Sequence, residues 1–227
     1  CRKGSERVQN KNTRRFGKFK NGLIEIKLKQ LLDCSDVEKI ILSTNDEKIL
    51  EYAQSIVCDD KLYIHERRND LATSSTSTDS LVGHALELVD KVLPNSNILW
   101  THVTSPFVTA WEYSRIIKKF NEILVGETYD SLMTTTLIHN FLWNEHGPIN
   151  YDRSLEKWPR TQTLSPLHEV NSAAFIAPSY VYRNQNDRIG NKPYLYRLEK
   201  LKGLDIDWEE DFILAEQALI NNLTQIE

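Results

Sequence analysis

Residues 97–107 read NILWTHVTSPF, a short run carrying Ile98, Leu99, Trp100 and Val103 that breaks into a polar turn closed by Pro106. An apolar run of this length, bounded by a turn signal and lacking strict alternation, reads as a strand over 97–103 buried on both faces. Working outward, 78–92 sets Leu81, Val82, Ala85, Leu86 and Val89 on one helical face, and 110–122 does the same with Trp111, Ile116, Ile117 and Phe120. Further strands follow at 37–44 (VEKIILST), 62–64, 131–138 and 170–177 (VNSAAFIA), with helices at 46–56 and 208–220. Strand and helix in alternation predict an α/β layered fold with a mostly parallel sheet between helices, and a ligand at the carboxyl ends of the strands. The turn at Thr104 and Ser105 leaves the central strand at that edge.

The chain has 227 residues, of which 40% are hydrophobic, which fits one domain over 1–227 with one sizeable core. A formal net charge of -4 gives no overall field favouring nucleic acid or an anionic membrane, so an anionic ligand has to be met by local cations. Cys1, Cys34 and Cys58 show neither CxxC nor Cys/His spacing, and no signal peptide or long apolar span is present, which points to idle thiols in a reducing cytoplasm. The first residues already read as a loop, so a first strand is expected to be missing at the N-terminus. Residues 141–166 (FLWNEHGPINYDRSLEKWPRTQTLSP) are aromatic and aperiodic; a segment of that kind is expected to project from the domain as an interface.

Three features carry chemistry. The opening CRKGSERVQNKN combines Gly4 and Ser5 with the cations Arg2, Lys3, Arg7 and Lys11, a composition suited to cradling a polyphosphate and equally compatible with a solvated basic arm. In GLDIDWEED, 203–211, Asp205 and Asp207 alternate with apolar Leu204 and Ile206, so both carboxylates face one side of an extended segment and form a hard oxygen site for Mg²⁺. The competing role of Asp207 is to N-cap the helix that follows, and that of Asp205 is a solvent-exposed strand residue. The third feature is the THVTSPF turn itself. The six histidines lack zinc-site spacing, and only His102, at the strand edge, is a candidate substrate contact. The tryptophans read as core or interface anchors, and the Lys27/Lys29 and Lys118/Lys119 pairs as solvated helix faces.

Taken in order, RKGSERVQNKN, STND (43–46), RRNDLA with STSTD (67–79), VTSPF, PRTQTL (159–164), VNSAAFI and LDIDWEED resemble the acylneuraminate cytidylyltransferase family, which includes the CMP-sialic acid synthetases and is related to the CMP-Kdo synthetases. The resemblance implies a Rossmann-like nucleotide-diphospho-sugar transferase fold with a mostly parallel mixed sheet between helices. It implies transfer of CMP from CTP to the anomeric hydroxyl of an acidic 2-keto-3-deoxy sugar, with release of pyrophosphate, in a Mg²⁺- or Mn²⁺-dependent cytoplasmic homodimer serving cell-surface glycan synthesis. Arg2 and Lys11 match the triphosphate-binding cations; Gly4, Ser5 and Asn12 match the nucleotide loop; Arg67 and Thr78 fall where the nucleotide is contacted; and Asp205 and Asp207 match the metal pair. Arg160, Gln162, Asn171 and Phe175 lie where the family builds its sugar site, together with His102.

The departures are specific. His102 stands for a glutamine, Val103 for a proline, Val108 for an arginine and Phe175 for a tyrosine, while Glu169 occupies a place where some sialic acid synthetases carry arginine. They keep open a CMP-Kdo synthetase-like enzyme or an inactive nucleotide-binding homologue.

Overall fold

A computed structural model describes residues 2–4, 7–56, 60–73 and 75–226; Cys1, Ser5 and Cys58 lie outside the described residues. The strands are β1 (Ile40–Thr44), β2 (Leu62–Glu66), β3 (Asn97–Trp100), β4 (Ser131–Ile138), β5 (Trp143–Asn144), β6 (Gly147–Pro148), β7 (Leu167–Pro178) and β8 (Pro193–Leu198). The helices are α1 (Leu23–Asp33), α2 (Glu47–Ile56), α3 (Thr78–Val92), α4 (Ala110–Val125), α5 (Ser179–Gln185) and α6 (Glu209–Ile220). β1 pairs with β2 in parallel. The larger sheet has the order β3-β7-β4-β8, with β7 antiparallel to both neighbours and β4 parallel to β8. The fold is therefore α/β with a mixed sheet. The direction of β7, which a periodicity pattern cannot reveal, is what makes it mixed.

Those ladders fix where the loops emerge. β3, β4 and β8 all run the same way, so the turn after β3, the excursion after β4 and the loop after β8 leave one edge together. The strand over 97–103 stops at Trp100, and residues 101–103 already belong to that edge. Ser77 caps α3 by accepting from Ser80 N, and Thr109 caps α4 by accepting from Glu112 N, each satisfying one otherwise orphaned donor.

One apolar cluster joins both sheets: Ile24 and Leu28 of α1 pack with Ile40 and Leu42 of β1, Tyr113, Ile116 and Phe120 of α4, and Leu132, Ala173 and Ile176 of β4 and β7. A second gathers Val8, Phe16 and Phe19 of the N-terminal arm, Leu23 and Ile26 of α1, Phe107, Ile206 and Phe212. Each fully buried large side chain contributes about 1.5–3 kcal/mol. The second cluster thus holds three chain segments distant in sequence against one another at the functional edge.

Two sequence expectations are corrected. Lys27 is not on a solvated face: α1 turns it inward, and it is 2% exposed. Of the core and interface roles expected of the tryptophans, the core role falls away: Trp111, Trp143, Trp158 and Trp208 are exposed and Trp100 is half-buried.

Residues 139–166 connect the far ends of the antiparallel β4–β7 hairpin, whose last pair is Ile138 and Leu167. The segment packs on itself. Trp143 stacks on Trp158 at 6.2 Å, Phe141 meets Tyr151 edge-on at 5.2 Å, and the Arg153 guanidinium lies over both tryptophan rings. Asn150 closes the loop's neck, donating to the carbonyls of Asn140 and Ser165 and accepting from Leu142 N. Among the described residues, no helix is long and apolar enough to cross a membrane.

Candidate active site

The amide of Ile206 donates to the carbonyl of Thr104 at 2.9 Å, which joins the loop after β8 to the turn after β3. Ile206 is fully buried, and the alternation of the extended chain leaves its neighbours on the other side: Asp205 half-buried, Asp207 exposed. Lys11 reaches the same point, its Nζ donating to the Ile206 carbonyl at 2.6 Å and lying 3.4 Å from Asp207 Oδ1. Arg7 stands 3.7 Å from that carboxylate. The basic arm and the acidic pair are therefore one site.

Asp207 is not the helix cap. The carboxylate of Asp211 accepts from both Asp207 N and Trp208 N, closing the start of α6 from inside the helix, and Glu209, Glu210 and Asp211 fill its first turn, where negative charge is favoured. That leaves the Asp207 carboxylate to Lys11 and Arg7 rather than to the helix. Asp205 Oδ1 is buried without a hydrogen-bond partner. Burial raises its pKa above the usual carboxylate range and Asp207 adds to the rise, while Thr104 and Lys11 oppose it. A buried carboxylate oxygen left unmatched beside a second carboxylate is the donor set a hard divalent cation takes, and with two protein oxygens such an ion fills its shell with water and phosphate. No third carboxylate, His or Cys joins them among the described residues.

The turn after β3 is clamped from beneath. Lys27 Nζ donates to Ser105 O at 2.9 Å and contacts Tyr113 Oη at 2.5 Å, and Gln30 Nε2 donates to Pro106 O at 2.7 Å. Thr101 Oγ1 bonds Tyr113 Oη and donates to Ala173 O. Burial pushes the Lys27 ammonium down to about 7, with Asp205 pulling the other way.

Beyond the turn, His102 Nε2 lies 3.0 Å from Trp100 Nε1 and 3.4 Å from Arg188 Nη1. Burial, helped by Arg188, drives the His102 pKa down to about 4, so the ring is neutral. The Arg188 guanidinium rests 3.8 Å above the Phe175 ring, and Phe175 pairs with Trp100 across β3 and β7. Asn171, by contrast, is buried and spent on the interior, donating to Thr136 Oγ1 and accepting from Ala173 N. A Cβ on Gly203 would lie 2.5 Å from both Asn171 Nδ2 and Thr136 Oγ1, so only glycine lets the loop after β8 pass this close. Arg160 and Gln162 are exposed at the turn Thr161–Thr163, on the projecting segment.

At the arm's beginning, Gly4 takes φ 78°, and Lys3 docks on the STND loop, with its amide on Asn45 Oδ1 and its Nζ on Glu47. Arg2 is half-buried and Asn12 contributes its carbonyl to Ile24 N. Arg67 holds Ser43 through Nε and Nη2, and Ser43 Oγ also meets His65 and His84. Thr78 opens α3 with an exposed side chain. Two functional side chains escaped the sequence reading. Lys27 had a signal, since it falls four residues after Leu23 and four before Leu31 on the apolar face; Arg188 had none, because it sits in the loop after α5 and meets Phe175 only through the tertiary fold.

The fold and this edge define a nucleotide-transferase architecture, and the comparisons agree. The Cytidylyltransferase family model matches residues 1–140, and the chain belongs to that family. It is 26% identical over 187 residues to the N-acylneuraminate cytidylyltransferase of Streptococcus agalactiae serotype V, covering 78% of this chain and 42% of that protein. It is 24% identical over 223 residues to the N-acylneuraminate cytidylyltransferase of Escherichia coli O18:K1:H7, covering 95% of this chain and 49% of that one. The chain thus spans less than half the length of these curated relatives. Among solved structures, a CMP:2-keto-3-deoxy-manno-octonic acid synthetase complexed with CTP superposes with TM-score 0.66 at 13% identity, over 98% of this chain and 96% of that one. A 4-diphosphocytidyl-2C-methyl-D-erythritol synthase from Anaerococcus prevotii gives 0.60 at 12% identity, over 88% and 86%. These two likenesses concern the fold.

Proposed function

We propose that this chain transfers CMP from CTP to the anomeric hydroxyl of an acidic 2-keto-3-deoxy sugar of the sialic acid type, releasing pyrophosphate, in cytoplasmic synthesis of surface glycans. The observation that carries the reading is the convergence of Lys11, Arg7, Asp205 and Asp207 on the carboxyl edge through the Ile206–Thr104 hydrogen bond. The names of the curated relatives support the substrate class.

Transfer at phosphorus leaves the protein little covalent work; positioning and charge neutralisation dominate. Arg2 and Lys11 meet the β and γ phosphates that depart, and the Gly4 loop brings backbone N–H groups towards them. Asp205 and Asp207 would hold a divalent cation, Mg²⁺ or Mn²⁺, which would supply Lewis-acid stabilisation of the charge that develops during transfer. Lys27, Gln30 and Tyr113 fix the turn that faces this site. Arg67 and Thr78 serve the nucleotide, and His102, Arg160 and Gln162 meet the sugar, while Phe175 and Asn171, both buried, shape its site from beneath, Phe175 under Arg188 and Asn171 through its bond to Thr136. The exposed aromatic segment 141–166 forms a homodimer contact.

The test is separation of triphosphate from nucleoside binding. Lys11→Ala weakens CTP far more than cytidine in calorimetry; equal loss for both assigns Lys11 to structure alone.

A further inference from the structure

Arg188 is a half-buried cation whose guanidinium makes no ion pair among the described residues. Among the described residues no carboxylate lies within ion-pair distance of its guanidinium; Asp187, the preceding residue, favours its charge without touching the fork, its carboxylate accepting from the Arg188 backbone N. Phe175 and Trp100 offer it ring faces, at 3.8 and 5.7 Å, and these attract a cation without neutralising it. His102 offers Nε2 at 3.4 Å, but that nitrogen already accepts from Trp100 Nε1, so the ring is a neutral acceptor. A guanidinium has five N–H donors in a planar fork, and this one uses few of them. Partial burial of an arginine whose fork has no carboxylate in contact is costly, and a bound oxyanion offsets the cost by taking two parallel N–H···O bonds.

The position of this cation narrows the anion. Arg188 Nη1 touches His102 Nε2 at 3.4 Å, and His102 stands two residues before Thr104, whose carbonyl holds the loop of the acidic pair, so the fork belongs to the same functional edge. The phosphate side is already supplied with cations, Lys11 and Arg7, on the Asp207 flank. Arg188 stands instead on the Phe175 platform beside His102.

Resting on the cytidylyl-transfer reading above, we propose that Arg188 is a specificity-determining residue that takes the carboxylate of the acidic sugar, with Phe175 and Trp100 holding the guanidinium flat and His102 fixing its rotation. The stack sets the plane of the fork, and the His102 contact leaves the remaining N–H groups for the substrate. An uncharged sugar of the same shape leaves the fork unmatched and is rejected.

The experiment measures pyrophosphate release from CTP and Mg²⁺ with N-acetylneuraminic acid and with 2-keto-3-deoxy-manno-octonic acid, then with the carboxamide of whichever acid turns over. Arg188→Ala raises KM for the acid by roughly 10- to 100-fold, the loss of a charge-assisted contact, and leaves KM for CTP unchanged. Arg188→Lys recovers part of the loss. Wild type discriminates acid from carboxamide, and Arg188→Ala does not. Wild-type turnover combined with an unchanged acid KM in Arg188→Ala and Arg188→Gln, both folded by thermal melt, overturns the assignment of Arg188 while sparing the transfer reaction. Retained acid-over-amide preference in those variants does the same. A wild-type chain that turns over neither acid overturns both.

Discussion

Lys27 Nζ lies 2.9 Å from the carbonyl oxygen of Ser105, sealed beneath the turn that closes the functional edge. An ammonium in that position holds the turn and also suffers for it, because burial lowers its pKa from 10.5 to about 7. In Lys27→Met, Ser105 O and the Tyr113 hydroxyl lose a partner, at a cost of about 1–3 kcal/mol near neutral pH. The sign of the pH effect follows from linkage: between about pH 7 and 10 the folded state binds fewer protons than the unfolded one, so wild-type stability rises there, and below 7 this contribution is level. Melts of both proteins at pH 6, 8 and 9.5 are expected to diverge as pH rises. Parallel curves contradict a buried ammonium.

Asp205→Asn separates chemistry from stability. The folded state holds the Asp205 proton more tightly than the unfolded chain, so at neutral pH the ionised carboxylate is a cost that disappears only as pH falls. Without metal, the Asn variant is expected to melt at or above the wild-type temperature while turnover falls roughly 100-fold or more. Asp207→Asn, which loses only exposed ion pairs worth little, is expected to keep its melting point and to lose turnover alike. Mg²⁺ raises the wild-type melting temperature more than that of either variant. Equal Mg²⁺ shifts in all three proteins contradict the assignment of this pair to the metal.

Trp158 is 61% exposed on the segment that leaves the β4–β7 hairpin, and Trp143 and Arg153 keep its ring ordered there. Exposed aromatic area of this kind favours a partner surface. Trp158→Glu is expected to shift the chain from dimer to monomer in light scattering, with its melt lowered only slightly at low concentration. A wild-type monomer at micromolar concentration sinks the dimer contact.

Layering was legible from the sequence because it rests on local periodicity: α3 and β4 fall at 78–92 and 131–138 as read. The acidic pair was legible for the same reason, since Ile206 is buried and its two neighbours are not. What escaped depends on partners far away in the chain. α1 was hidden by the lysines at 27 and 29, one of which binds a carbonyl 78 residues away. β7 gave no sign of its direction, and β8 and α5 went unseen. Asp207 looked like a cap because Asp caps well, yet Asp211 reaches back to do it. The motif resemblance supplied Asn171 and Phe175, but showed neither that Asn171 is bonded to Thr136 nor that Phe175 carries Arg188.

The most direct measurement is pyrophosphate release from CTP by the wild-type chain, with and without Mg²⁺, across a panel of acidic keto-sugars and their neutral analogues. Release is expected to require both the metal and an acidic 2-keto-3-deoxy sugar, with formation of the matching CMP-sugar, and to be almost lost in Asp205→Asn and Asp207→Asn. Metal-dependent release that persists undiminished in both variants, or an absence of release with every acid in the panel, contradicts it.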